Sequence, residues 1–108
     1  MIGSLRHRIE LLVRSRLADE AGGGAVIFTP VETVWAGLER LPSARDPGGD
    51  RDRRLRRLSA TIRMRSDVAP GGRIRFEGVP YDIVSVEPAP ARAGPERYVA
   101  LICEEALS

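Results

Sequence analysis

At 108 residues the chain is long enough for one domain with a single modest core and too short for two. Its 17 basic residues are all arginine, set against 15 acids, and a net charge of +2 that sits in one short segment speaks against the broader basic face usual in proteins that grip duplex DNA by counterion release. The single cysteine, Cys103, excludes an internal disulfide and a cysteine-based zinc site.

The charge is unevenly placed. Residues 45–57, "RDPGGDRDRRLRR", hold six arginines and three aspartates, while the rest of the chain is nearly neutral. The N-terminal "MIGSLRHRIE" lacks the apolar core of a signal peptide, and no run approaches the length of a membrane span. A soluble protein made in the cytoplasm, with no membrane partner, is the expectation.

The first periodic segment is "LRHRIELLVR", residues 5–14. Leu5, His7, Ile9, Leu11 and Val13 recur at period two, and Arg6, Arg8, Glu10 and Arg14 take most of the other side. This predicts a strand with one buried face, interrupted only by Leu12. "ADEAGGGAV" follows as a turn, its three glycines free to take positive φ. "IFTPVETVWAGLERL", residues 27–41, reads as a long, bent strand in which Pro30 excludes a central-strand position and Gly37 suggests a bulge or a close backbone approach.

Residues 42–50, "PSARDPGGD", are loop by their prolines and glycines. "DRDRRLRRLSA" could form one to three helical turns, capped by Asp50 or Asp52, with Leu55 and Leu58 at i, i+3. Two leucines make no wide apolar stripe, and so short a helix is marginal alone in water. A basic helix, a mobile arm and a solvated connector all remain open for residues 48–60 on these grounds.

The C-terminal half is a series of short alternating runs. "ATIRMRS" sets Ile62 and Met64 against Arg63 and Arg65, and "RIRFE" sets Ile74 and Phe76 against arginines. "YDIVSVE" opposes Tyr81 and Ile83 to Asp82, Val84 and Val86, and "YVALICEE" closes as a largely apolar strand. With "VAPGGR", "GVP" and "PAPARAGPER" as turns between them, the pattern predicts a mainly β fold. Five to six antiparallel strands in a small β-barrel suit this length, with a long loop or short helix between strands two and three. Closure would hide the strand edges.

No catalytic constellation is visible. His7, the only histidine, falls in strand phase with apolar neighbours and reads as packed rather than ligating, with no carboxylates at matched spacing for a metal. Cys103 in "ALICEE" reads as a small buried thiol. Glu104 and Glu105 are adjacent and point to opposite faces of a strand. "AGGGAV" and "PGGR" lack the lysine and spacing of a phosphate-binding loop. Trp35 reads first as core and second as an interface anchor. The expectation is a non-enzyme with no catalytic residues, metal or cofactor.

Taken in order, "LRHRI" at 5–9, "DEAGG" at 19–23, "TVWAGLERL" at 33–41, "ATIRMR" at 60–65, "PGGRIRFEGVPYDIVSVE" at 70–87 and "YVALICEE" at the end resemble the head–tail joining proteins of tailed phages. These are also called head-closure, stopper or head–tail adaptor proteins, and related proteins occur in phage-like gene transfer agents. The resemblance covers nearly the whole chain except residues 42–59 and 88–96. It departs from the family where Phe28 stands in place of a frequent second tryptophan, and in its arginine-rich insert.

The resemblance implies a structural protein of the virion neck, assembled in the host cytoplasm. It implies one domain, 1–108, that forms a homo-oligomeric ring of six or twelve copies. A portal or adaptor ring would lie above it and a tail terminator or tail tube below, with DNA in the lumen contacted non-specifically if at all. Residues 42–59 then correspond to a protruding loop that faces the lumen or a neighbouring subunit and carries Arg51, Arg53, Arg54, Arg56 and Arg57. A surplus of three charges per copy would place about 18 to 36 positive charges in the ring. Alternatively, these arginines pair with acids of an adjacent ring. The competing readings are a small nucleic-acid-binding barrel and a tail-completion ring of the same particle.

Overall fold

The computed structural model describes residues 6–18, 24–45, 54–89 and 97–106. They form six strands: β1 His7–Ala18, β2 Gly24–Arg45, β3 Arg54–Arg63, β4 Arg73–Phe76, β5 Val79–Pro88 and β6 Tyr98–Glu105. All pair antiparallel and close in the order β1-β2-β3-β6-β5-β4. There is no helix among the described residues.

The alternation read from the sequence fills the barrel. Ile9, Ile62, Ile74, Leu101 and Cys103, contributed by β1, β3, β4 and β6, are fully buried, and Tyr81, Ile83, Leu58 and Val99 pack among them. Each large apolar side chain so buried contributes about 1.5–3 kcal/mol. The four-residue β4 completes the ring, because Ile74 faces the core while its strand pairs β1 on one side and β5 on the other.

Three register shifts set which side chains point inward. In β2 the residue Val31 has no partner in β1, since Leu11 opposes Glu32 and Leu12 opposes Pro30. This bulge accommodates Pro30, which lacks an amide hydrogen for the ladder. Leu11 lies inside the core, and Leu12, on the opposite face of β1, is buried outside the central cluster. A second shift falls between Leu41 and Ala44 of β2. In β5, Val84 is the unpaired residue of the third.

These shifts overturn several details. Val86 packs against the core, although strict alternation puts it opposite Ile83; the bulge at Val84 resets the phase, and Val84 itself is exposed. Gly37 is regularly paired with Thr61, so the bulges of β2 lie on either side of it. Met64 is exposed because β3 ends at Arg63.

The largest correction concerns the protruding loop. Residues 42–45 complete β2 and residues 54–59 begin β3, so only 46–53 of the expected 42–59 remains between strands, and it lies outside the described residues. The short-helix alternative fails over 54–59. Leu55 and Leu58 are both buried there, and the strand pairs with β2 on one side and with β6 from Arg57 onward. A central strand secures both sets of backbone groups, which a two-leucine helix could not do as well.

At roughly 3.3 Å per residue, β2 alone would span about 70 Å if straight. The longest extent of the molecule is 52 Å, so β2 wraps around the barrel. Its first half and the second half of β1 leave the barrel together. β1 pairs with β4 only at residues 10–12, whereas its pairing with β2 continues to Ala18 opposite Gly24. The result is a two-stranded ribbon.

Candidate functional site

The topology sorts the loops to two ends. β1 and β4 bring the ribbon tip, the 64–72 connection, Pro88 and Tyr98 to one end. The other end holds His7, the Glu77 and Gly78 turn, Ala106, and the facing pair Arg45 and Arg54 that brackets residues 46–53.

At this second end a hollow of about 290 Å³ opens among His7, Arg40, Arg56, Leu58, Phe76 and Tyr81. Arg40 opposes Leu58 across the β2 and β3 ladder, so it continues the inward-facing row to the barrel mouth. Arg56 lies two residues before Leu58 and shares that row. Neither guanidinium is ion-paired among the described residues. The histidine expected to be packed is exposed: strand phase brings its ring only to the rim, where it meets Phe76 edge-on, with centroids 5.5 Å apart.

Of the five predicted arginines, Arg56 and Arg57 have described side chains. Arg51 and Arg53 lie outside the described residues, and Arg54 opens β3. Arg56 is exposed, and its amide N–H donates to Glu105 Oε1 at 3.3 Å. Arg57 points to the outside, with Nε 3.3 Å from Glu104 Oε2, a charge pair whose alignment falls short of a hydrogen bond.

That pair belongs to a girdle around the barrel. Glu10 and Arg75 join β1 to β4, Arg73 and Asp82 join β4 to β5 at 3.0 Å, and Glu104 and Arg57 join β6 to β3. Arg73 also lies over the face of Phe28, 3.9 Å from its centroid, which ties the base of the ribbon to β4.

At the first end the sheet is split. β2 and β3 are paired up to Gly37 and Thr61 and then diverge, leaving a groove of about 570 Å³ between Glu32, Val34 and Trp35 on one wall and Ile62, Arg63 and Arg65 on the other. Arg65 spans its mouth. Its Nε and Nη2 donate to the two carboxylate oxygens of Asp67 at 2.8 Å, and its Nη1 donates to Glu32 Oε1 at 2.7 Å. The two hydrogen bonds from Arg65 hold the Asp67 carboxyl below its ordinary pKa. An Arg-x-Asp spacing across a turn is a legible signal for that fork, but nothing in the sequence pointed to Glu32.

Trp35 is 53% exposed, which corrects its reading as core. Val34 and Ala36 face inward opposite Ile9 and His7, so Trp35 must face out, where Arg8 stacks 5.3 Å from its ring. Cys103 is the buried thiol the sequence suggests: burial first, and then the nearby Asp82 charge, push it up to about 12. Among the described residues no group of three metal-ligand side chains could hold an ion, and no helix is long and apolar enough to cross a membrane.

Fold and site thus define a small closed antiparallel barrel whose distinguishing features are a charged mouth, a projecting ribbon and a split wall. The chain belongs to the phage head completion protein family, whose family model matches residues 1–106. This is a family of structural virion proteins with a head-closure role. Solved structures share the fold, two of them as follows. One, from the virion of a native gene transfer agent particle, has 19% identity and a TM-score of 0.69, covering 95% of this chain and 96% of the other. Protein SF1141 from Shigella flexneri 2a has 21% identity and a TM-score of 0.68, covering 98% and 96%. No curated protein matches the chain.

Proposed function

We propose that this chain forms a homo-oligomeric ring in the neck of a phage or gene-transfer-agent particle, closing the head channel and joining head to tail. The family match over residues 1–106 carries this reading, and the gene-transfer-agent neighbour supports it through the fold. Six or twelve copies are taken, with a portal or adaptor ring on the head side and a tail terminator or tail tube beyond. The work is binding and sealing rather than catalysis. The arginine-bearing end, where Arg45 and Arg54 bracket residues 46–53 beside Arg40 and Arg56, faces the lumen. There it meets the DNA phosphates without reading sequence.

Arg51→Ser with Arg53→Ser leaves the barrel intact and lowers DNA retention or tail attachment in particles. Cryo-electron microscopy of purified particles places the chain as a ring between portal and tail; infectious or transfer-competent particles assembled without it would overturn the reading.

The basic mouth with Phe76 and Tyr81 supports a second reading, a stand-alone nucleic-acid-binding barrel. Under that reading the monomer's DNA affinity falls with salt at a slope of about −0.9 per phosphate contacted. A flat or undetectable titration excludes it.

A further inference from the structure

We infer that the split wall beside Trp35 is the seat for the β1–β2 ribbon of a second copy of this chain, strand edge against strand edge. The inference rests on the ring reading and names the contact that would build the ring. From Glu32 to Ala36, β2 pairs with β1 alone, so the edge facing the groove offers free backbone groups. The groove is lined by Val34, Trp35 and Ile62, with Val31 and Met64 exposed nearby.

The ribbon has what this seat lacks. Among the described residues no strand lies beside the outer edge of β1 beyond Leu12, and Val13, Leu17, Val26 and Ile27 are all exposed. Val13, Ser15 and Leu17 share a face with Thr29, Ile27 and Ala25, their cross-strand partners. A two-stranded ribbon is marginally stable by itself in water, so docking stabilises both sides of the contact.

Charge selects the same pairing. Arg14 and Arg16 on the ribbon have no ion pair among the described residues. At the groove mouth Glu32 shares the guanidinium of Arg65 with Asp67 and keeps its side chain 57% exposed, so its carboxylate is accessible to an incoming arginine. Donor and seat are different surfaces of one chain, so the contact is head-to-tail, and repetition closes a ring when the rotation per copy fits.

The test is a mixed cross-link. Leu17→Cys and Thr33→Cys lie at exposed positions of the ribbon and of the groove edge, and the native Cys103 is buried and silent towards thiol reagents. A flexible bis-maleimide long enough to absorb a two-residue difference in register is applied to the purified chain and to particles carrying the variants. Mixing L17C with T33C gives a cross-linked dimer, each variant alone gives none, and the double variant gives a ladder up to the closed ring. The emission of Trp35, the only tryptophan, moves to shorter wavelength on assembly. R14E with R16E raises the concentration needed for assembly about fivefold, the scale of one surface ion pair.

Cross-linking of L17C alone would overturn the inference in favour of ribbon-on-ribbon pairing. So would oligomers or particle-bound chain with no mixed cross-link, and either result leaves the ring reading standing. A mixed cross-link in open-ended filaments that never close, also absent from particles, would sink the ring reading and keep the contact.

Discussion

The same two strands behave differently along their lengths. In the barrel, β1 and β2 bury Ile9, Leu11 and Ala36; beyond the bulge at Val31 they carry Val13, Leu17, Val26 and Ile27 into solvent. Hydrophobicity and period-two alternation are similar in both halves. What differs is the third element: β4 and β3 flank the lower half, and among the described residues no strand flanks the upper one. Alternation therefore specifies a strand, and only the strands beside and across from it decide whether its apolar face is core or contact surface.

The contrast predicts a graded series of effects. Leu101→Ala, in the centre of the barrel, costs about 2–5 kcal/mol by denaturant titration of the purified chain. Leu17→Ser on the ribbon, at 61% exposure, stays within about 0.5 kcal/mol of the parent. Equal costs would break the distinction between wall and ribbon.

A pH series probes the core from another side. The Cys103 thiol has its pKa raised to about 12 in the fold, against about 8.5 for an unfolded cysteine. The native state then holds the proton that the unfolded chain releases, so this contribution is complete below about pH 8.5 and is lost as pH climbs towards 12. Cys103→Ala removes that downward slope, measured as the difference between the two proteins' stability profiles from pH 8 to 11.

Two smaller effects sharpen the picture at the barrel's surface. Glu77 sits at φ 52° beside Gly78 at φ 80°, the backbone of a two-residue hairpin that favours Asn-Gly. Glu77→Asn raises stability by about 0.5–1 kcal/mol, read as a higher melting temperature, because asparagine tolerates the left-handed region. Glu104→Gln, which discharges one link of the girdle, costs about 0.2–1 kcal/mol, and salt reduces the difference.

Much of this architecture was legible in the chain. The strands around Ile9, Ile74, Ile83 and Leu101 follow from alternation and turn residues, and Pro30 correctly marked a non-central stretch. The start of β3 was hidden because the arginines from 51 to 57 mask Leu55 and Leu58, and a run of charge reads as loop. Val86 was misphased because a bulge leaves no signature in composition. The Glu32, Arg65 and Asp67 cluster needed the third dimension, since Glu32 is 33 residues from the arginine it meets. The arginine segment itself was found by counting charge, but its exit from the barrel end opposite the ribbon emerges only from the strand order.

That strand order leaves one mechanical link. An unbroken run of backbone, β2, passes from the ribbon at Gly24 to Arg45 at the threshold of the arginine segment, with its two irregularities, at Val31 and between Leu41 and Ala44, the natural points of give. A load applied to one extremity is delivered along this covalent tether to the other. Whatever grips the projecting arm holds the far end of the lever that borders the cationic mouth.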